Sequence, residues 1–172
     1  KDIIAKTTCT SIVANDRILA VGTANGCLYL YGTSPTLGWE SGKAFRAFPP
    51  FVLGSPVVAI NMSDMVSDKC EMVTVTSDGK FAVYKVRDSG PKLDYKGSIV
   101  PPMQQMLLSS ISANQRSGNQ PKLVRIQVTD TKRLMLVLML PTASAGRALQ
   151  GFVYNRDMES WMLVADSNNF LL

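Results

Sequence analysis

The sequence predicts an all-β chain of propeller-like blades, about three units of short antiparallel strands making a complete or an incomplete ring. Three observations lead there. Two segments read as β-hairpins, the two hairpins are near copies of each other, and a third set of apolar strands follows them.

In the first hairpin Arg17-Ile18-Leu19-Ala20-Val21-Gly22-Thr23-Ala24 leads through Asn25-Gly26 into Cys27-Leu28-Tyr29-Leu30-Tyr31. In the second, Glu71-Met72-Val73-Thr74-Val75-Thr76-Ser77 leads through Asp78-Gly79 into Lys80-Phe81-Ala82-Val83-Tyr84-Lys85-Val86. Asn-Gly and Asp-Gly tolerate the positive φ angles of a two-residue hairpin turn. Between β-branched and aromatic runs they are a strong short-range hairpin signal. Thr23-Ala24-Asn25-Gly26 with its following strand repeats as Thr76-Ser77-Asp78-Gly79, 53 residues on. A short apolar strand precedes each hairpin, at 11–14 and at 56–60.

The third unit reads as strands at 123–128, 133–140, 151–154 and 161–164, with a longer loop at 141–149 in place of the tight turn. The stretch 32–43 is turn-rich, Gly90-Pro91 and Pro101-Pro102 punctuate the boundaries of the second unit, 103–111 suits a short amphipathic helix, and 112–120 is a polar loop. Sets of about four strands at a period near blade length argue for blades. The units fall roughly at 1–50, 51–100 and 101–172 of one domain, 1–172. The second hairpin also has the cadence of a WD repeat, with Tyr84-Lys85 where such a repeat ends in Trp-Asp. A β-sandwich with two similar hairpins is the alternative.

Composition narrows the class. Apolar residues make up 46% and charged residues 18% of 172, a globular balance. The chain opens on Lys1 without a methionine and reads as a piece of a larger protein. Its longest apolar run, 134–140, is far short of the about 20 residues of a membrane helix, so no membrane association is expected. Cys9, Cys27 and Cys70 are odd in number, with no CxxC pair, and read as core thiols of a reducing compartment. The net charge of +5 is spread out: Lys122, Arg125, Lys132, Arg133, Arg147 and Arg156 form no basic run. They read as a solvated face, without tight direct nucleic-acid binding.

The sequence contains no histidine, which removes the Ser-His-Asp and Cys-His arrangements and the usual metal-ligand clusters. No glycine-rich phosphate loop is present. Asp64 with Asp68, and Asp157 with Glu159, fall in turn-like stretches where carboxylates are common anyway. The expectation is therefore no enzyme, no cofactor and no metal.

Gly54-Ser55-Pro56-Val57-Val58-Ala59-Ile60, the hairpin end Phe81-Ala82-Val83-Tyr84-Lys85-Val86, and Gly151-Phe152-Val153-Tyr154-Asn155 with Ser160-Trp161-Met162-Leu163-Val164-Ala165-Asp166-Ser167 together resemble the C-terminal domain of the HIRA/Hir histone-regulator family. In that domain an apolar hairpin ends in Trp-Asp-Val. A later segment reads roughly Tyr-Cys-Phe-Asn, a gap, then Ser-Thr-Trp-Asn-Leu-Val-Ser-Asp. The resemblance spans about 20–172, with insertions near 112–120 and 141–150, and is best over 152–167.

The resemblance implies a nuclear subunit of a histone chaperone and transcriptional corepressor complex that deposits histones outside replication. This domain would mediate oligomerisation and docking of other complex subunits, reaching histones indirectly. Tyr84 and Lys85 align with a Trp-Asp pair at a subunit contact of that family, and are the expected interface residues. Lysine for aspartate reverses a charge, which points to pairing with a non-identical related subunit as well as, or in place of, a second copy. Tyr84 as a plain strand residue facing the next blade stands beside that reading. Two other functions stay open: a trimeric replisome-adaptor propeller, and a ligand-reading β-sandwich. The latter would need convergent aromatics, of which Trp39 and Trp161 are the only tryptophans, and Trp161 reads as core.

Overall fold

The computed structural model describes residues 7–33, 39, 46–110, 120–141 and 147–167. Most of the stretches at 32–43 and 112–120 lie outside these residues. The chain divides into two compact units, Lys1–Gly97 and Ser98–Leu172. The described residues form three antiparallel sheets and one helix, so the chain is mostly β.

The first unit holds two sheets. One runs β1 (Cys9–Ala14), β2 (Ile18–Thr23), β3 (Cys27–Gly32) and β4 (Arg46–Ala47), with β5 (Phe51–Val52) also paired to β3. The other is a four-stranded meander of β6 (Val57–Met62), β7 (Lys69–Thr76), β8 (Lys80–Arg87) and β9 (Gly90–Ser98). β4, β5 and β9 lie outside the strands expected from the sequence. Gly90-Pro91, read as a boundary, opens β9: Gly90 takes φ 115, and the proline occupies the start of an outer strand, where a missing amide donor is tolerated.

Period-two alternation builds the core between these two sheets. Ile18 and Ala20 of β2, Leu28 and Leu30 of β3, Cys70 and Met72 of β7, and Tyr84 and Val86 of β8 are all buried in one cluster, with Phe48. The central strands β2 and β7 are buried along most of both faces, with the polar Glu71, Thr74 and Thr76 buried among the apolar residues of β7. Two polar side chains of the first sheet reach the second. Thr10 Oγ1 donates to the Val57 carbonyl at 2.5 Å. Asn15 Nδ2 donates to the Ser63 carbonyl at 3.0 Å, while its Oδ1 accepts the Arg17 and Ile18 amides and shapes the β1–β2 turn.

Both expected hairpins are present, but their turns differ from the expected two-residue type. Only Gly26 (φ 82) and Gly79 (φ 79) are left-handed; Asn25 and Asp78 are not. Each loop has three residues, closed by Gly26 N–H to Thr23 O at 3.1 Å and Gly79 N–H to Thr76 O at 2.9 Å. The buried threonine stabilises each turn: Thr23 Oγ1 donates to the Asn25 carboxamide oxygen and accepts the Cys27 amide, and Thr76 Oγ1 donates to the Asp78 carboxylate. The geometry with both residues at positive φ occurs instead at Ser67-Asp68 (φ 51 and 61), where Val66 and Lys69 exchange amide–carbonyl bonds.

The second unit contains α1 (Val100–Ser110) and a meander of β10 (Lys122–Val128), β11 (Leu134–Pro141), β12 (Arg147–Asn155) and β13 (Ser160–Asp166). The helix begins earlier than the 103–111 expected, and Ile111 lies outside the described residues. Pro101 and Pro102 fit because the first helical turn has no use for their amide protons. Ser98 Oγ accepts the Val100 amide at 3.1 Å, and Met103 N–H makes the first helical bond, to Ile99 O, at 3.2 Å. The helix packs on β11 and β12, with Met106 fully buried. β12 starts at Arg147, so the loop expected at 141–149 is shorter than read.

The turn device occurs a third time. Thr129 lies 53 residues after Thr76, its carbonyl accepts the Lys132 amide at 2.8 Å, and its Oγ1 accepts the Arg133 amide at 3.2 Å. Lys132, at φ 64, stands where the other two turns have glycine. This turn joins the first two strands of its sheet, whereas the others join the second and third, so the 53-residue spacing is a turn repeat and not a strict blade period.

Candidate interaction surface

Adjacent residues of a strand point to opposite faces, and that separates Tyr84 from Lys85. Tyr84 is only 5% exposed and its ring packs on Phe51 at a centroid distance of 5.6 Å. It stands opposite Met72 across β7–β8. Burial pushes its phenol above the ordinary value, opposed by a hydrogen bond with Thr74. An exposed anchoring role for Tyr84 is therefore corrected: the residue is part of the core between the two sheets of the first unit. Lys85 faces the other way, half-exposed, with its Nζ 4.0 Å from Asp94 Oδ2. The structure does not bring the pair together as one surface.

Lys85 opens onto a feature that sequence reasoning missed. Lys85, Arg87, Ser89, Gly90, Lys92, Leu93 and Asp94 line a cleft of about 460 Å³ formed by β8, β9 and their turn. On β8, Lys85 and Arg87 share a face by their spacing of two; across the ladder they oppose Glu71 and Lys69. Glu71 is buried and held to Ser63 Oγ, whereas Lys69 and Arg87 are like charges set directly opposite. The signal was present as alternate cations in 85–92, but without β9 they had no common face.

Beside the cleft, Arg17 is clamped by two carboxylates, Asp68 at 2.8 Å and Asp88. Arg46 Nη1 donates to the Asp88 carbonyl at 3.2 Å, with its guanidinium over the Phe48 ring. Asp68, weighed as half of a carboxylate pair with Asp64, is thus an ion-pair partner of Arg17. Asp157 and Glu159 sit in the β12–β13 turn, whose shape is set by Asn155 Oδ1 accepting the Asp157 and Met158 amides.

In the second unit, the edge strand β13 exposes Met162 (55%), Leu163 (41%) and Val164 (50%). Trp161 beside them is half-buried, not fully enclosed as expected; it packs against Tyr154 at 5.0 Å and donates from Nε1 to the Ser98 carbonyl at 2.8 Å. Among the described residues no group of three His, Cys, Asp or Glu side chains gathers as a metal site would require. No helix among them is long and apolar enough to cross a membrane. Cys70 is buried and Cys27 partly so, but Cys9 is exposed, contrary to its reading as a core thiol.

A family-sequence model described as Hira, TUP1-like enhancer of split, matches residues 45–171, about three quarters of the chain. No curated protein matches. Among solved structures, the BBS1N chain of a crystal of BBS1N with ARL6DN, soaked with mercury, aligns with a TM-score of 0.42 at 13% identity. The alignment covers 96% of this chain and 56% of that one, so this chain spans just over half its length.

Proposed function

Because the chain belongs to the Hira family (TUP1-like enhancer of split), we propose that it is a non-catalytic assembly domain of a nuclear histone chaperone and transcriptional corepressor subunit. In this role it joins copies or related subunits to one another and docks other members of the complex. The single observation that carries the reading is the family match, which runs from the end of the first sheet through all of the third. The row Met162, Leu163 and Val164 on an outer strand supports it, since exposed apolar side chains at a sheet edge favour association. Lys85 remains a contact residue in this proposal; Tyr84 supports the contact from beneath by holding β8 in place.

The test is affinity purification of the full-length parent protein from nuclear extract, with identification of what co-purifies. Histone chaperone subunits are the expected result. Their absence, with the parent intact and nuclear, would contradict the reading.

A further inference from the structure

We propose that the cleft beside β8 and β9 binds an acidic, extended peptide segment of a partner protein, with Arg87 and Lys92 taking its carboxylates. This deepens the assembly reading and rests on it for the partner being a protein.

The charge balance of the cleft is the first argument. Lys85, Arg87 and Lys92 face one acidic lining residue, Asp94; outside the lining, Lys69 stands directly opposite Arg87, and the buried Glu71 opposite Lys85 is held to Ser63. Like charges opposed across a ladder repel, and an anion between them relieves the repulsion. Among the described residues Arg87 and Lys92 have no ion-pair partner, while Lys85 reaches Asp94 only at 4.0 Å.

Shape is the second argument. β9 is an outer strand of its four-stranded sheet, so an extended chain can add alongside it. Leu93, 47% exposed, gives the cleft an apolar wall for one side chain of such a peptide. The volume lies within the range of about 300–1,000 Å³ in which small ligands and side chains are held. Nucleic acid fits less well: no aromatic ring lines the cleft for a base to stack on.

The probe is a fluorescein-labelled dodecapeptide of alternating Glu and Val, titrated by anisotropy beside a labelled single-stranded DNA twelve nucleotides long. The expected result is saturable peptide binding that exceeds DNA binding and falls at least tenfold in Arg87→Glu/Lys92→Glu. Lys122→Glu, on β10, should bind as the unaltered protein does. Arg87→Ala/Lys92→Ala, a milder change, should show the same direction of loss with an unchanged circular dichroism spectrum. No peptide binding, equal loss in Lys122→Glu, or DNA bound more tightly than peptide would each overturn the proposal. So would unaltered affinity in the double variants, which would leave these lysines and arginine as mere protection of a sheet edge. Light scattering of the same variants separates this cleft from the assembly reading. Peptide binding should be lost with the assembly mass unchanged, and joint loss of both would overturn the assignment to a separate partner.

Discussion

Gly22 and Val57 approach so closely that a Cβ on Gly22 would lie 2.5 Å from Val57 Cγ1 and 2.7 Å from its Cβ. Gly22 is the penultimate residue of the buried strand β2, and Val57, fully buried, begins β6, so this contact sets how closely the first two sheets pack. Gly22→Ala should therefore destabilise by about 1–3 kcal/mol, the usual cost of overpacking. Urea unfolding measures it. Gly22→Ala/Val57→Ala should cost less than the sum of the singles, since the second change opens the space the first requires; simple additivity would mean the two residues do not meet.

At the turns the expectation is strain. Gly79→Val places a β-branched residue at φ 79 and should cost about 1–3 kcal/mol. Gly26→Val should cost more, because its Cβ would also lie 2.9 Å from the Ser55 backbone nitrogen. Equal losses in thermal unfolding would contradict the close approach at Gly26.

Acid should act on one hairpin and spare the other. Asp78 is held below the ordinary carboxylate value, chiefly by the Thr76 hydroxyl that donates to it. A carboxylate lowered in the folded state contributes stability that is present above its unfolded value of about 4 and is lost as pH falls through the lowered one. Stability of the unaltered protein should thus fall with acid more steeply than that of Asp78→Asn. The Asn25 turn has no such group. Parallel pH profiles for the two proteins would contradict the assignment.

Tyr84 and Lys85 should separate cleanly in mutation. Tyr84→Ala removes an aromatic ring from the core cluster and should cost about 3–5 kcal/mol. Lys85→Ala, at an exposed site, should stay within about 0.5 kcal/mol of the unaltered protein. Chemical unfolding checks both; a neutral Tyr84→Ala would return that residue to the surface.

The β class and both principal hairpins were legible because alternation and Asx-Gly turns are local signals. The type of turn was not. A buried threonine that bonds the second loop residue draws Asn25 and Asp78 out of the left-handed region, and only the folded turn shows that bond. The third copy, Thr129 to Arg133, was hidden because Lys132 stands where glycine would have marked it. β9 was obscured by Gly90-Pro91, a pair that usually ends a strand and here begins one. That loss also hid the basic cleft, since Lys92 and Asp94 join Lys85 and Arg87 only across a β8–β9 ladder. Tyr84 was misplaced because alignment with a family's contact residue does not reveal which face of β8 is covered in this chain.

The most direct test of the assembly reading is the mass of the purified domain in solution, by light scattering, alone and mixed with a related subunit co-purified from the parent complex. The account predicts a defined species at a multiple of the 18.7 kDa chain, reduced toward the single chain by Val164→Lys on the exposed edge of β13. A single chain of 18.7 kDa at every concentration, with no larger species in the mixture, would contradict it.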